Sequence, residues 1–458
     1  MKRAFFAVGV LASLVLAPRA AQANGRFPES NQLFFAPNDD QELLLRTTFG
    51  MLISRDRGAT WHWVCEQAFP LSGSEDPMFA VTPNSNILAT TFQGMSLSKT
   101  KACNWEYLKT PPLSNPDPNS GMDRGRVFID LTTNPNDAKN VVVFASTYEK
   151  QDEDGGLYFS SQLFETTDEG ATFTKLGNDL DPSFLGHTLD LTKSDPQRLY
   201  VTAVRNPGSM VQAFLLTSKD HGQTYSETTI PLEEPERAAY IAAVDPNNAD
   251  HLYVRTSAGT DKPSRLLFSD NAGQSWRVVI KGNGPLVGFA LSPDGSKVFV
   301  GGPRDGIQVA STTDYAFKQT STIEIQCLAL AADGLWACSN EKSGFVIGMS
   351  KDEGATFEKK THFCDIKGAL ECPAGTSTNT ECPGRWPAQY GFLGCDTGDA
   401  GPNGDGGTAD GSLPDGDPLV EPGGGCDCHT TQSSSTSGLA AFAVLAAAVT
   451  AFVRRRRS

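Results

Sequence analysis

The chain has 458 residues, a formal net charge of −15, 44 glycines and 28 prolines. That charge argues against a nucleic-acid partner, because neutralising phosphates takes clustered lysine and arginine. The glycine and proline content favours turns over long helices, and the length suits two or three ordinary domains or one large repeat domain with a tail.

The first element is an export signal. Lys2 and Arg3 precede an apolar run from Ala4 to Ala17, and Ala21-Gln22-Ala23 supplies the small residues of a cleavage site. Residues 1–23 therefore read as a signal peptide cut after Ala23, which implies export machinery as a partner.

The next feature is an octet, "SRDRGATW" at 54–61, that recurs along the body. It returns as "TTDEGATF" (166–173), "SKDHGQTY" (218–225), "SDNAGQSW" (269–276) and "SKDEGATF" (350–357). "SKTKACNW" (98–105) keeps Ser98 and Trp105 in register, and "STTDYAFK" (311–318) is a shortened relic. A second marker alternates with it: two short apolar strands around a turn, usually with proline, as in "FFAPNDDQELLL" and "AAVDPNNADHLYV". Seven hairpins alternate with seven octets at intervals of roughly 40 to 60 residues, the size of a propeller blade. Residues 27–361 are thus expected to form an all-β, seven-bladed β-propeller.

The octet chemistry is that of a turn. Asp56 can accept N–H groups from the loop it begins, Ser54 and Thr60 can bond locally, Gly58 permits positive φ and Trp61 starts the next strand with a ring to bury. The same structural roles fall to Asp168, Gly170 and Phe173, to Asp220, Gly222 and Tyr225, to Asn271, Gly273 and Trp276, and to Asp352, Gly354 and Phe357. In a four-stranded meander, turns one–two and three–four share a face, so a ligand is expected on the opposite one. The long stretches 109–126, 148–156, 205–210 and 257–265 belong there. Arg124, Arg126, Tyr148, Arg205, Arg237 and Arg304 are the candidate ligand-binding residues. No nucleophile elbow and no phosphate-cradling glycine loop is present, so no catalytic residue, metal ligand or cofactor is assigned.

Eight cysteines lie between the signal and the tail, an even set in an exported chain. Cys327 and Cys338 flank the turn "AADG" symmetrically and should bridge neighbouring strands. Cys65 and Cys103, near the outer strands of the first two blades, are a second candidate pair. Residues 364–395 carry the other four cysteines and read as a small disulfide-stapled segment. Residues 396–437 are rich in Gly, Asp and Ser, with the spacing of a flexible acidic stalk rather than an EF-hand. Residues 438–458 combine an apolar run to Val453 with Arg454–Arg457, a membrane-spanning tail.

Two resemblances follow from these residues. The octet resembles the Asp-box, or BNR repeat, of sialidases, sortilin-type receptors and photosystem-II assembly-factor propellers, in which it is a tight turn between the third and fourth strands of a blade. The "GGGCDC" lead with Cys426 and Cys428, the apolar run and "RRRR" resemble the MYXO-CTERM sorting tail. That resemblance implies a sorting protease as a partner and attachment to the cell envelope or outer surface through a processed cysteine. The Asp-box resemblance implies either a non-catalytic module binding a protein, peptide or glycan, or a secreted glycoside hydrolase. Against the hydrolase, the Arg-x-Pro of "GRFP" (25–28) falls too near the cleavage site, and Tyr148 and Glu149 are adjacent rather than opposed.

Overall fold

The computed structural model describes residues 28–395, apart from 70–75, 92–93, 109–111, 117–122, 154, 206–209, 260 and 340. The expected signal peptide, acidic stalk, CDC cysteines and membrane tail lie outside the described residues. Among the described residues no helix is long and apolar enough to cross a membrane.

Seven four-stranded antiparallel sheets span 30–64, 79–108, 128–176, 185–230, 238–281, 288–321 and 325–361, each made of strands consecutive in sequence. The first strands of successive sheets contact one another, and that of the seventh contacts that of the first, so they ring a central axis. The chain is a seven-bladed β-propeller. Blades pack on both sides of each sheet, which is why second strands such as Ile87–Thr91 and Leu252–Ser257 are almost wholly buried and read as near-continuous apolar runs. The fourth strands are the most exposed, Arg277–Lys281 for example.

The octets form the turns between third and fourth strands. Asp56 accepts the Thr60 N–H (2.8 Å), the Thr60 hydroxyl (2.6 Å) and the Ser54 hydroxyl (2.8 Å), while Ser54 Oγ accepts the Gly58 N–H (2.8 Å). The same bonds recur around Asp168, Asp220 and Asp352. Asn271 reproduces them, its Oδ1 accepting from Ser269 and Ser275 and its Nδ2 donating to the Ser275 hydroxyl. In 98–105, where sequence leaves only Ser98 and Trp105 in register, Thr100 stands in the aspartate's place and its hydroxyl accepts the Asn104 N–H at 2.7 Å.

The fourth octet residue adopts positive φ (Arg57 56°, Glu169 60°, Glu353 58°) and points at the preceding blade. Arg57 pairs with Asp333 of the seventh blade at 2.7 Å, closing the ring, and Glu169 accepts from Thr82 (2.6 Å) and Asn84 in the second. The following glycine lies against that blade too: a Cβ on Gly273 would sit 2.4 Å from Leu215 Cδ2. The octets therefore weld blades as well as turn chains.

These turns carry an acid signature. Thr356 and Ser350 hydrogen bonds hold Asp352 down to about 2. Burial raises Asp56 and Asp168, but their octet hydrogen bonds outweigh it, and all three, with Asp220, lie below the ordinary carboxylate value. A depressed folded pKa gives stability that is present above the unfolded value, near pH 4, and lost as pH falls toward the folded value. Melting temperature should drop steeply between pH 4 and about 2. Replacing Asp56, Asp168, Asp220 and Asp352 together by Asn should remove most of that limb, and an unchanged limb would contradict it.

The segment after the last blade is not a free-standing cap. It crosses onto the first two blades. Lys367 and Leu370 donate backbone N–H bonds to Trp61 and Trp63, and Ala369 forms a parallel bridge with Trp63 on the outer edge of the first blade. Cys65 bonds Cys382, Cys103 bonds Cys372 and Cys364 bonds Cys395, while Cys327 bonds Cys338 across their hairpin. The expected Cys65–Cys103 pairing is therefore wrong. Each of those cysteines faces the returning C-terminal segment, which lies between them and supplies a closer partner. Thr378 Oγ1 donates to the Ala102 carbonyl (2.6 Å) and Trp386 packs on Trp63 (centroids 5.5 Å). Disulfides of this number are the chemistry of a chain folded outside a reducing cytoplasm.

Candidate functional site at the channel mouth

Five of the seven innermost strands break register, four near their start, between Ser30 and Gln32, Phe128 and Asp130, Gly186 and Thr188, and Ile325 and Cys327, and one past its middle, between Ile241 and Ala243. Such bulges leave one residue unpaired and re-aim its side chain. The skipped residues Asn31, Ile129, His187, Ala242 and Gln326 all line one cavity of about 290 Å³ on the axis. The strand starts lie on the face away from the octets, so this is the channel mouth on that face.

Arg46 and Arg255 come from the second strands of blades one and five, each as the fourth residue of its run ("LLLRT", "LYVRT"). Their cross-strand neighbours on the inner strands are Gln32 and Tyr240. Arg46 Nη1 lies 2.8 Å from Met78 Sδ. Arg255 Nη1 donates to the Leu286 carbonyl (2.8 Å), and its Cζ sits 5.7 Å from the centre of the Tyr240 ring. His187 stacks on the same ring at 5.3 Å and 24°. Lys262 also lines the cavity.

Asp130 is the one carboxylate lining it among the described residues. Its two oxygens accept the Leu131 and Leu189 N–H groups (2.9 and 2.8 Å), the latter stitching blade three to blade four. Burial pushes it up to about 7 against those bonds, and nearby Asp190 adds to the push while Arg46 opposes it. Asp190, behind it, is raised to about 6, again by burial. Burial takes His187 down to about 4 and Tyr240 up to about 12, so both are neutral at pH 7. The mouth thus presents arginine and lysine charge, a neutral aromatic stack and an acid held well above the ordinary carboxylate value. This arrangement can hold an anion and read hydroxyl groups. Among the described residues no cluster of three or more His, Cys, Asp or Glu could hold a metal ion.

Of the residues singled out from sequence, Arg126, Tyr148, Arg205, Arg237 and Arg304 are not among those that line this cavity. Arg205 lies over Phe184 and Phe214 (4.2 and 4.8 Å) and pairs with Glu227, Arg237 pairs with Glu234, and Arg304 donates to the Asp261 carbonyl. Arg126 lies over Phe164 and donates to the Pro112 carbonyl, and Tyr148 packs edge-on to Phe159. Arg124 falls in a two-stranded ribbon, Ser114–Pro116 with Asp123–Gly125. The stretch 148–156, read as a loop, is largely strand, because Val141–Gln151 and Leu157–Thr166 extend the hairpin. Sequence reasoning passed over Arg46 and Arg255, although an arginine ending an apolar strand run was the signal available.

No family model and no curated protein matches the chain. Among solved structures, the fold is similar to the crystal structure of an ancestral GH74 enzyme, with TM-score 0.52 and 13% identity over 72% of this chain and 46% of that one. It is also similar to the β-propeller domain of Myceliophteria thermophila Cps50 (Swd1), with TM-score 0.42 and 12% identity over 69% of this chain and 95% of that one. The chain spans just under half the length of the GH74 enzyme. At that identity the likeness to the GH74 enzyme shows the fold alone.

Proposed function

We propose that the chain is an exported, surface-anchored binding module, a non-catalytic propeller of the Asp-box kind. It takes a protein, peptide or glycan ligand at the mouth of its channel, on the face away from the octets. Residues 1–23 direct export, and a sorting protease acts on the tail at Cys426 or Cys428. The observation that carries this reading is the bulge-ringed cavity, whose lining is cationic and aromatic and, among the described residues, includes a single carboxylate. Glycoside cleavage ordinarily takes two carboxylates flanking the scissile bond. One property favours a hydrolase: Asp130, raised to about 7, has the ionisation of a general acid. Among the described residues no second carboxylate lines the cavity to pair with it. The test is the purified ectodomain on glycan and peptide arrays, with fluorogenic glycosides run beside them. Selective binding without turnover is expected. Turnover abolished by Asp130→Asn would replace this reading with the hydrolase.

A further inference from the structure

We propose that Tyr253 and Tyr315 form an oxidative crosslinking site, at which a one-electron oxidant joins blade five to blade six through a carbon–carbon bond. The site belongs to the octet turns and does not depend on what the mouth binds.

Tyr315 stands in the shortened octet 311–318, which lacks the motif's glycine and carries Thr313 at the aspartate's position. Its φ is 52°, the left-handed turn also taken by Arg57, Glu169 and Glu353, and like them it reaches the preceding blade. The others make that contact through ion pairs or carboxylate hydrogen bonds. Tyr315 makes it with a second phenol. Its Oη lies 2.7 Å from Oη of Tyr253, on the second strand of blade five, and the ring centroids are 6.3 Å apart.

Three features suit this pair to coupling. The first is alignment. Tyrosines couple at the ring carbons beside their hydroxyls, and the product keeps those hydroxyls side by side, so a hydroxyl-to-hydroxyl contact brings the reacting edges together in advance. The second is rigidity. Tyr253 is buried, with its ring against Phe268 and Phe289 at 5.0 and 5.4 Å. Tyr315 packs on Phe268 at 5.4 Å, with the Arg277 guanidinium 4.7 Å from its centre. The third is access. Tyr315 is only half-buried, so it opens the pair to an oxidant in solution. Four disulfides already mark a chain that folds in oxidising surroundings.

The step balances as follows. Two equivalents of oxidant each remove one electron, and each phenol releases its hydroxyl proton to water. The two phenoxyl radicals join at one Cε of each ring. Each ring then moves the hydrogen of that carbon to its oxygen and becomes a phenol again. One Cε–Cε bond forms, two C–H bonds break, two protons leave and two oxidant equivalents are reduced.

The test is brief illumination of the dilute purified chain with tris(bipyridyl)ruthenium(II) and persulfate, which generates ruthenium(III) as the one-electron oxidant. Dityrosine fluorescence is read on the monomer fraction, and peptide mapping by mass spectrometry locates the bond. The folded chain should yield about tenfold or more dityrosine than the same chain in urea. The bond should join the peptides holding Tyr253 and Tyr315, with the loss of two hydrogens. Tyr253→Phe and Tyr315→Phe should each lower the yield by about tenfold or more, and Tyr158→Phe should leave it unchanged. Tyr315→Phe, on the half-buried side, keeps the test decisive if Tyr253→Phe folds poorly. The crosslinked chain should unfold at a higher urea concentration than the parent, because the new bond closes a ring across 62 residues. The proposal is overturned if the folded monomer yields no dityrosine, if the bond maps to other tyrosines, if Tyr315→Phe yields as much as the parent, or if the crosslinked chain unfolds where the parent does.

Discussion

A chain carrying Cys65→Ser and Cys103→Ser should melt well below the parent, by the largest margin of any change described for this protein. The two bonds tie the end of the propeller back onto its beginning, closing rings across 317 and 269 residues. They are nested, so once Cys103–Cys372 is formed, Cys65–Cys382 closes a further ring of only roughly 50 residues, worth about 4 kcal/mol in the chain-entropy account. Together they hold the parallel bridge at Trp63 and the Trp63–Trp386 contact in place. A propeller whose seven sheets each come from consecutive strands has no exchanged strand to lock its ends. The clasp takes over that work beside Arg57–Asp333. Cys327→Ser with Cys338→Ser is the control, since that bond joins strands already paired in a hairpin and should cost about 2 kcal/mol. Calorimetric melts of both variants check this. Equal losses would show that the clasp does not close the ring.

Asp56→Ala should cost about 2–3 kcal/mol, whereas Asp56→Asn should cost less than about 1. Alanine strands the Thr60 N–H and two hydroxyls that the carboxylate collects. Asparagine does not, and the protein itself shows why: Asn271 occupies the equivalent place and satisfies the same partners. Denaturant unfolding of the two variants separates an acceptor requirement from a charge requirement. If asparagine were as damaging as alanine, the carboxylate charge would be doing something beyond the turn.

The blades were legible because they are local. An octet satisfies itself within eight residues, and a hairpin within a dozen, so both leave their pattern in the sequence. Thr100 shows the limit even there, since a hydroxyl can replace an aspartate without keeping the motif. The clasp was not legible, because Cys65 and Cys382 meet only after the ring has closed. The channel mouth was harder still. Bulges at His187 and Ala242 depend on how each inner strand meets its partner, and no residue type marks them. Arginines on long stretches drew attention to the rim, where Arg205 and Arg237 have found partners of their own. Arg46 and Arg255 hid inside apolar strands, where a charge is informative because burial makes it expensive.

The central claim is that ligand enters at the mouth and that the octet face is scaffolding. The direct measurement is paired obstruction. Ala242→Trp fills the cavity from a bulge, and Ala355→Trp places the same ring on an exposed octet residue of the opposite face. With both variants folded, affinity for a ligand identified on arrays should fall by about tenfold or more for Ala242→Trp and stay at the parental value for Ala355→Trp. Loss of binding from Ala355→Trp with Ala242→Trp unaffected would contradict the account.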